Sequence, residues 1–474
     1  MADIVLATLN ARYSHASLGL RYLQANLGEL QSRSEILEFV IGARTESIAE
    51  SLLSRAPILL GLGVYIWNVE ETTRLVAMLR RLAPELRIVL GGPEVSHEVS
   101  EQAICRLAHH VITGSAEHEF AELCRQTLAW RAGSAPRPLT HTIPGGSLEP
   151  AQIRMPYALY DDRDIAHRHL YVEASRGCPY RCEFCLSALD RTAVPFPLEP
   201  LLDELATLYR RGARRFKFVD RTFNLRIDTS ITILSFFLDR IEAQPDDPCF
   251  AHFELVPDHL PERLREVLPR FPAGTLQFEV GIQSWNPDVQ QRISRRQNNA
   301  KAEDNLRWLR EHTRANLHVD LIAGLPGETL ESFGQGFDRL VALRPQEIQV
   351  GILKRLRGAP IDRHTEAFDM RYNPMPPYNV LATRDIGFPD MQRLARFARY
   401  WDLIGNSQRF MDRLPALLRS SPFQRFMNFS DWVYARTDST WRFTPERLAQ
   451  LIDDWLVSPS EIEFHDGTTQ EPLL

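Results

Sequence analysis

The sequence predicts an α/β protein in three parts: a doubly wound parallel-sheet domain, a partial barrel of six βα units, and a helical carboxyl-terminal domain. Three observations predict it. Short apolar runs alternate with helical patterns over residues 1–130, six further strand-like runs recur between 170 and 375 with room for helices between them, and from 376 onward helices follow one another without strands.

At 474 residues the chain is long enough for two or three domains with ample core. Its net charge of −6, with acids and bases interspersed, does not indicate a broad nucleic-acid surface, although it leaves room for a local basic cleft. Three of the six cysteines, Cys105, Cys124 and Cys249, stand singly in apolar surroundings and read as reduced, buried thiols. No apolar run approaches the roughly 18 residues a bilayer span needs, and the first residues lack a basic leader. A cytoplasmic protein without a membrane span is expected.

In the first part, strands are predicted at Ile4–Leu9, Ile36–Val40, Ile58–Ile66, Arg87–Leu90 and Val111–Ile112, with helices at Leu18–Leu30 and Val69–Leu82. Ligand sites in such a Rossmann-like, flavodoxin-like sheet lie at the carboxyl ends of the strands. Three small-residue loops fall there: Asn10 to Gly19 with Tyr13 and His15, Tyr65 to Asn68 with Trp67 after Gly63, and Gly91-Gly92-Pro93. Glycine lets the backbone approach a ligand closely, as any doubly wound domain also requires for packing alone. Residues 131–169 lose periodicity and collect Pro and Gly, which predicts a linker.

The second part, 170–375, carries strand-like runs at Leu170–Ala174, Arg215–Val219, Cys249–Leu255, Thr275–Gly281, Leu317–Ile322 and Glu347–Leu353. Six units are too few to close an eight-stranded barrel, and polar residues at strand carboxyl ends should face the site. These are Asp220, Asn224, Glu254, Glu279, Gln283, Ser284 and Asp320, with the Gly324-Leu325-Pro326-Gly327-Glu328 turn. Glu328 alternatively serves the first turn of the next helix. In the third part, 376–474, helices are predicted at Met391–Ile404, Phe410–Leu418 and Pro445–Leu456, with Arg and acidic residues nearly balanced.

Chemistry concentrates in Ser175-Arg176-Gly177-Cys178-Pro179-Tyr180-Arg181-Cys182-Glu183-Phe184-Cys185, which sets three thiols on one loop after the first barrel strand. An iron–sulfur cube normally takes four thiolates, so three leave one iron open to a small molecule. A Cys3His zinc site using His167 or His169 is the alternative.

The C-x3-C-x2-C spacing with an aromatic residue before the last Cys resembles the radical S-adenosylmethionine (SAM) superfamily. The resemblance implies that Cys178, Cys182 and Cys185 hold a 4Fe-4S cluster whose fourth iron binds SAM, and that Phe184 lies near the adenine. It further implies an electron-donating flavodoxin- or ferredoxin-type partner. The Glu279-x-Gly-x-Gln283-Ser284 and Gly324-Leu-Pro-Gly-Glu phrases resemble the family's SAM-contacting strands, making Glu279, Gln283 and the Gly324 backbone the expected SAM holders, with Asp220, Glu254 and Ser284 at the mouth.

The first domain resembles the cobalamin-binding domain that precedes many radical SAM barrels. That resemblance implies cobalamin held by Asn10, Tyr13, His15, Gly63, Trp67, Gly91, Gly92, Pro93, Gly114 and Glu117, the glycine loops lining its nucleotide tail. The Asp-x-His-x-x-Gly form is absent: Tyr13 stands two places before His15 and the glycine falls at Gly19. A ligating His needs a partner that fixes its tautomer, and none is evident, so His15 is expected to be a loop residue rather than a cobalt ligand. Together the resemblances imply methyl transfer to an unactivated carbon of a small molecule. A non-methylating cyclase or rearrangement enzyme, or a cobalamin sensor with a vestigial barrel, are the other readings.

Overall fold

The computed structural model describes residues 2–146 and 149–457. It divides into two compact units, residues 1–392 and 393–474.

The first unit opens with a six-stranded, all-parallel sheet. Its strands are β1 (Ile4–Asn10), β2 (Ser34–Val40), β3 (Leu59–Gly63), β4 (Arg87–Gly91), β5 (His110–Thr113) and β6 (Thr142–Pro144), in spatial order β2-β1-β3-β4-β5-β6. The helices between them are α1 (Leu18–Ala25), α2 (Thr45–Leu53), α3 (Val69–Leu82), α4 (Ala103–Leu107) and α5 (Glu117–Arg131). β1 is buried along its whole length because helices cover both faces of the sheet, as parallel sheets require. One apolar layer joins α2, α3 and α4 to β1, β3 and β4 through Ile48, Leu52, Leu75, Val76 and Ile104. The opposite layer joins α1 and α5 through Leu20, Phe120 and Leu123.

The stretch 131–169, expected to be linker, is structured. β6 extends the sheet at its edge, where a Pro without an N–H is tolerated. Tyr157 and Tyr160 are fully buried, and their hydroxyls donate to Glu173 O (3.1 Å) and Tyr171 O (2.7 Å). α6 (Asp162–His167) carries a reciprocal capping box between Asp161 and Asp164. Aromatic anchoring outweighs the Pro-Gly composition that suggested a loose connection.

A second all-parallel sheet follows, in the order β14-β13-β12-β11-β10-β7: β7 (Leu170–Val172), β10 (Arg215–Phe218), β11 (Phe250–Leu255), β12 (Leu276–Gln283), β13 (Asn316–Ala323) and β14 (Glu347–Ile352). A short antiparallel pair, β8 (Ser175–Arg176) and β9 (Val194–Pro195), brackets the cysteine loop. The helices are α7 (Leu198–Arg210), α8 (Ile227–Ala243), α9 (Glu262–Val267), α10 (Pro287–Arg292), α11 (Asn299–His312) and α12 (Leu330–Leu343). β12 and β13 alternate strictly between buried and half-buried residues. Their apolar side faces the helices and their polar side forms cross-strand rows, Glu254 beside Glu279, Glu279 beside His318 and His318 beside Glu347.

After β14 a two-stranded antiparallel ribbon, β15 (Arg371–Tyr372) and β16 (Val380–Ala382), completes most of the first unit before α13 (Phe388–Ile404). The second compact unit therefore begins at Arg393, later than the expected boundary at 376. It holds the rest of α13 with α14 (Leu414–Leu418), α15 (Pro422–Thr437) and α16 (Pro445–Val457), packed through Phe426, Phe429 and Trp455. Residues 458–474 of that domain lie outside the described residues. Among the described residues, no helix is long and apolar enough to cross a membrane.

Candidate active site

The cysteine loop is held at its start and in its middle. At its start, buried Asp220 accepts from Ala174 N (2.9 Å) and the Ser175 hydroxyl (2.6 Å), and burial pushes its carboxyl up to about 7. Gly177 follows at φ +88°, where a Cβ would lie 2.8 Å from Ala193 N, so only glycine fits. Cys178 N then donates to Asp190 O at 2.7 Å. In the middle, Glu183 is buried; its carboxylate accepts from Arg363 Nε (2.7 Å), His364 Nε2 (2.7 Å) and the Ser294 hydroxyl. Its backbone donates to Ile293 O (3.1 Å) and accepts from Ile361 N (2.9 Å). Sequence reasoning missed Glu183, and the only signal was a lone acid between two ligand-type cysteines, which must be paired if buried.

Cys178 and Cys182 are buried and Cys185 is half-buried, and all three line one cavity of about 200 Å³. Burial pushes the Cys178 and Cys182 thiols up; for Cys182 the Arg295 guanidinium, 3.5 Å from its sulfur, opposes this. The remaining cysteines are buried elsewhere and do not line the cavity, so the protein offers it three thiols. Among the described residues no three Cys, His, Asp or Glu side chains converge as a single metal ion requires. Three separated thiols around one space fit a cube, in which each thiolate meets its own iron. Neither His167 nor His169, the candidate fourth zinc ligands, lines this cavity.

Phe184, Glu254, Glu279, Gln283 and Asp320 line the same cavity, joined by Arg221 and Arg295, which sequence reasoning did not single out. Burial works to raise Glu279, but the His252 ring (3.2 Å) and the Lys217 charge (3.8 Å) outweigh it and bring the carboxyl down to about 2. Burial raises Glu254, opposed by Arg221 at 2.6 Å. Burial works to lower His318, but Asp320 (3.1 Å) and Glu347 (2.9 Å) carry it up to about 10. A bulge between Gly281 and Gln283 leaves Gln283 at φ +69°, turning it out of the strand register at the cavity wall.

Three expected mouth residues do not line this cavity. Asp220 serves the loop backbone as described. Ser284 is buried, and its hydroxyl accepts from Asn286 N (3.1 Å) and pairs with Glu328. Gly324, at φ +86°, packs under Val380, whose Cγ1 lies 2.5 Å from where a Cβ would stand. Asn224 likewise is structural, exchanging bonds with Val256 N (2.8 Å) and Val256 O (2.9 Å). Glu328 accepts from the Ser332 hydroxyl (2.6 Å), while Thr329 caps α12.

A second cavity, about 490 Å³, opens at the carboxyl ends of β3, β4 and β5, beside α1 and α5. Gly63, Gly91, Gly92, Gly114 and Glu117 line it, as do Tyr65 and Phe120. From the barrel side come Glu173, Arg176 and Arg221. Arg176, two residues before Cys178, bridges Glu117 (2.7 Å) and Glu173 (2.9 Å) and stacks over Tyr22. Gly92 sits at φ +107° with a Cβ position 2.5 Å from Val64 O, whereas a Cβ on Gly91 would meet only Ile112 O, at 3.8 Å. The glycines at the ends of β3, β4 and β5 leave one side of this cavity free of side chains, as a cobalamin tail would require.

Five residues expected there lie outside it. Asn10 donates to His15 O (2.9 Å) and Glu38 (2.9 Å), fixing the loop after β1. Tyr13 is exposed and accepts from Arg163 (2.6 Å). The His15 ring stands edge-on to Tyr171. Trp67 stacks on Tyr65 at 4.4 Å, and Pro93 begins a tight turn after Gly92.

With this geometry in view, comparison with known proteins is decisive. Residues 172–340 match the radical SAM superfamily and residues 4–124 match the B12 binding domain. The chain joins a B12 binding domain to a radical SAM domain. Its cofactors are accordingly a 4Fe-4S cluster, SAM and cobalamin. Residues 366–450 match a family described as a protein of unknown function, DUF4080.

Among relatives, 2-(S-pantetheinyl)-carbapenam-3-carboxylate methyltransferase of Streptantibioticus cattleyicolor is 25% identical over 65% of this chain and 48% of its own. The cobalamin-dependent radical SAM methyltransferase TokK of Streptomyces tokunonensis is 25% identical over 68% and 50%. The chain thus spans about half the length of these relatives. Two solved structures share the fold. The cobalamin-dependent radical enzyme OxsB superposes with a TM-score of 0.64 at 14% identity, covering 95% of this chain and 74% of that one. The methyltransferase TsrM of Kitasatospora setae gives 0.57 at 20% identity, covering 76% and 75%.

Proposed function

We propose that this radical SAM protein is a cytoplasmic methyltransferase that places a methyl group on an unactivated carbon of a small molecule, drawing electrons from a flavodoxin- or ferredoxin-type partner. One observation carries the reading: Arg221 lines both cavities, so a substrate resting against it has a cofactor cavity on either side. When bound, the cofactors supply hydrogen abstraction from the substrate and a methyl donor; the protein's share is to place the reacting atoms and exclude water.

Cys178, Cys182 and Cys185 would hold the cluster, and their number leaves one iron for SAM. Arg295 donates toward the Cys182 sulfur and so favours its thiolate. Glu279, ionised at neutral pH, presents a fixed acceptor for an ammonium or hydroxyl of SAM, with Gln283 and Phe184 on the same wall. Gly63, Gly91 and Gly114 would receive the cobalamin tail, closed from the barrel side by Arg176. The methyltransferase names of the relatives support the reaction class.

The experiment is to feed SAM bearing a deuterated methyl group to the anaerobic enzyme in host extract, and to compare products with a Cys182→Ala control. The expected result is a labelled product formed only with the intact cluster loop, with S-adenosylhomocysteine and 5'-deoxyadenosine released together, two SAM per methylation. A cluster-dependent product without the label would overturn methyl transfer.

A further inference from the structure

The part of the DUF4080 segment that packs on the barrel edge has a position but no assigned role. We infer that residues 371–382 form a latch that holds the cobalamin-cavity loop in shape, with Tyr378 as its positioning residue. The inference rests on the larger cavity being the cobalamin site.

The latch is tied to the barrel by backbone. Val380 N donates to Leu353 O (2.8 Å), Arg355 N donates to Tyr378 O (3.0 Å), and Lys354 and Asn379 form an antiparallel bridge. These bonds continue the edge of β14 and carry the half-turn at Tyr378, φ +53°, toward the first domain. There the Tyr378 hydroxyl donates to Glu94 Oε1 at 2.8 Å. Arg357 Nε reaches the same oxygen at 3.0 Å and its guanidinium stacks on the Tyr378 ring at 4.9 Å. Arg355 and Arg357 both hold Glu98, Arg355 at 3.1 Å. A Cβ on Gly358 would collide with the His97 ring, so the two surfaces meet closely.

Glu94 is 4% exposed and lies two residues beyond Gly92. Its own carbonyl accepts from Gln102 Nε2 (2.9 Å). Two residues further, the Ser96 hydroxyl donates to Gly92 O (2.9 Å) and accepts from Gly114 N (3.0 Å). Gly92 and Gly114 are both walls of the cobalamin cavity. A continuous chain of short polar contacts thus runs from the latch through Glu94 and the 93–96 turn to two glycines that line the tail slot. A buried carboxylate that loses a donor will seek another partner and drag its turn with it.

The test uses the full chain with its cluster reconstituted anaerobically. Wild type, Tyr378→Phe, Glu94→Ala and the double variant are titrated with hydroxocobalamin and followed by absorbance, and iron, sulfide and SAM binding are measured in parallel. Each single variant is expected to bind hydroxocobalamin about tenfold more weakly, since a hydrogen bond to a charged group is lost. The double variant should be no weaker than the poorer single, because both remove the same contact. Iron, sulfide and SAM binding should stay at wild-type levels. Unchanged cobalamin affinity overturns the latch, as does a loss shared equally with cluster and SAM, which would mark a general fold contact. A wild-type chain that fails to bind hydroxocobalamin overturns the cobalamin assignment itself and the latch with it.

Discussion

Replacing Glu183 with Ala should loosen the cluster loop without unfolding the barrel. Its side chain is 6% exposed and accepts from Arg363, His364 and Ser294, each on a segment distant in sequence. A hydrogen bond to a charged group contributes about 1.5–3 kcal/mol. Arg363 is 61% exposed, so water replaces most of what it gives and its share falls below about 1 kcal/mol. His364, 12% exposed, and the Ser294 hydroxyl carry the rest, for a sum near 3 kcal/mol. At about 1.4 kcal/mol per factor of ten, the loop should open about a hundredfold more often. The assay is anaerobic iron release to a chelator, followed by absorbance. Glu183→Ala should lose iron about a hundredfold faster and Arg363→Ala less than about fivefold faster. Wild-type release from Glu183→Ala would refute the view that this carboxylate holds the loop.

Three further outcomes are expected. Substituting Cys178, Cys182 or Cys185 by Ala should each remove the four-iron cluster with the fold intact; stoichiometric zinc without sulfide in anaerobically purified wild type would contradict it. Gly91→Leu should abolish cobalamin binding while the cluster remains, because its Cβ position is free of backbone clash, whereas Gly92→Ala should unfold the domain at a lower temperature, its Cβ lying 2.5 Å from Val64 O at φ +107°. Equal melting temperatures for Gly92→Ala and wild type would contradict the second half. His318 is raised from an ordinary 6.5 to about 10, so its stabilisation is complete below pH 6.5 and lost as pH rises through 10. His318→Gln should therefore flatten the alkaline fall of Tm with pH, and an unchanged alkaline limb would exclude the ion pairs with Asp320 and Glu347 as its source.

Strand period decides which site residues could be read from sequence. Glu254, Glu279 and Asp320 lie inside β11, β12 and β13, where alternation fixes the side of the sheet, and all three line the thiol cavity. Asp220, Ser284 and Gly324 lie one or two residues beyond the last strand residues Phe218, Gln283 and Ala323, where the chain turns and alternation no longer fixes direction. The same limit applies after β1: Tyr13 and His15 sit in a loop whose course is set by Asn10 and Glu38, 28 residues apart. Among the cavity glycines, Gly92 was legible because close backbone packing demands it whatever the ligand. The contacts made by Glu183, Arg176 and Tyr378 were not, since their partners are set by the packing of distant segments. β6 was hidden by its proline, and the 131–169 stretch by composition that gives no weight to two fully buried tyrosines.

The glycine wall of the larger cavity bears on the thermodynamics of loading. A pocket lined by long side chains must freeze rotamers when it fills, at about 0.5–1.5 kcal/mol for each immobilised side chain. Gly63, Gly91, Gly92 and Gly114 have no rotamers, and the positive φ of Gly92 and Gly114 is already fixed by the Ser96 hydroxyl before any ligand arrives. The ordering entropy of those four glycines is spent during folding, so whatever rests against them freezes no rotamer there, and only the side chains on the other walls, Tyr65, Phe120 and Arg176 among them, have freedom left to lose.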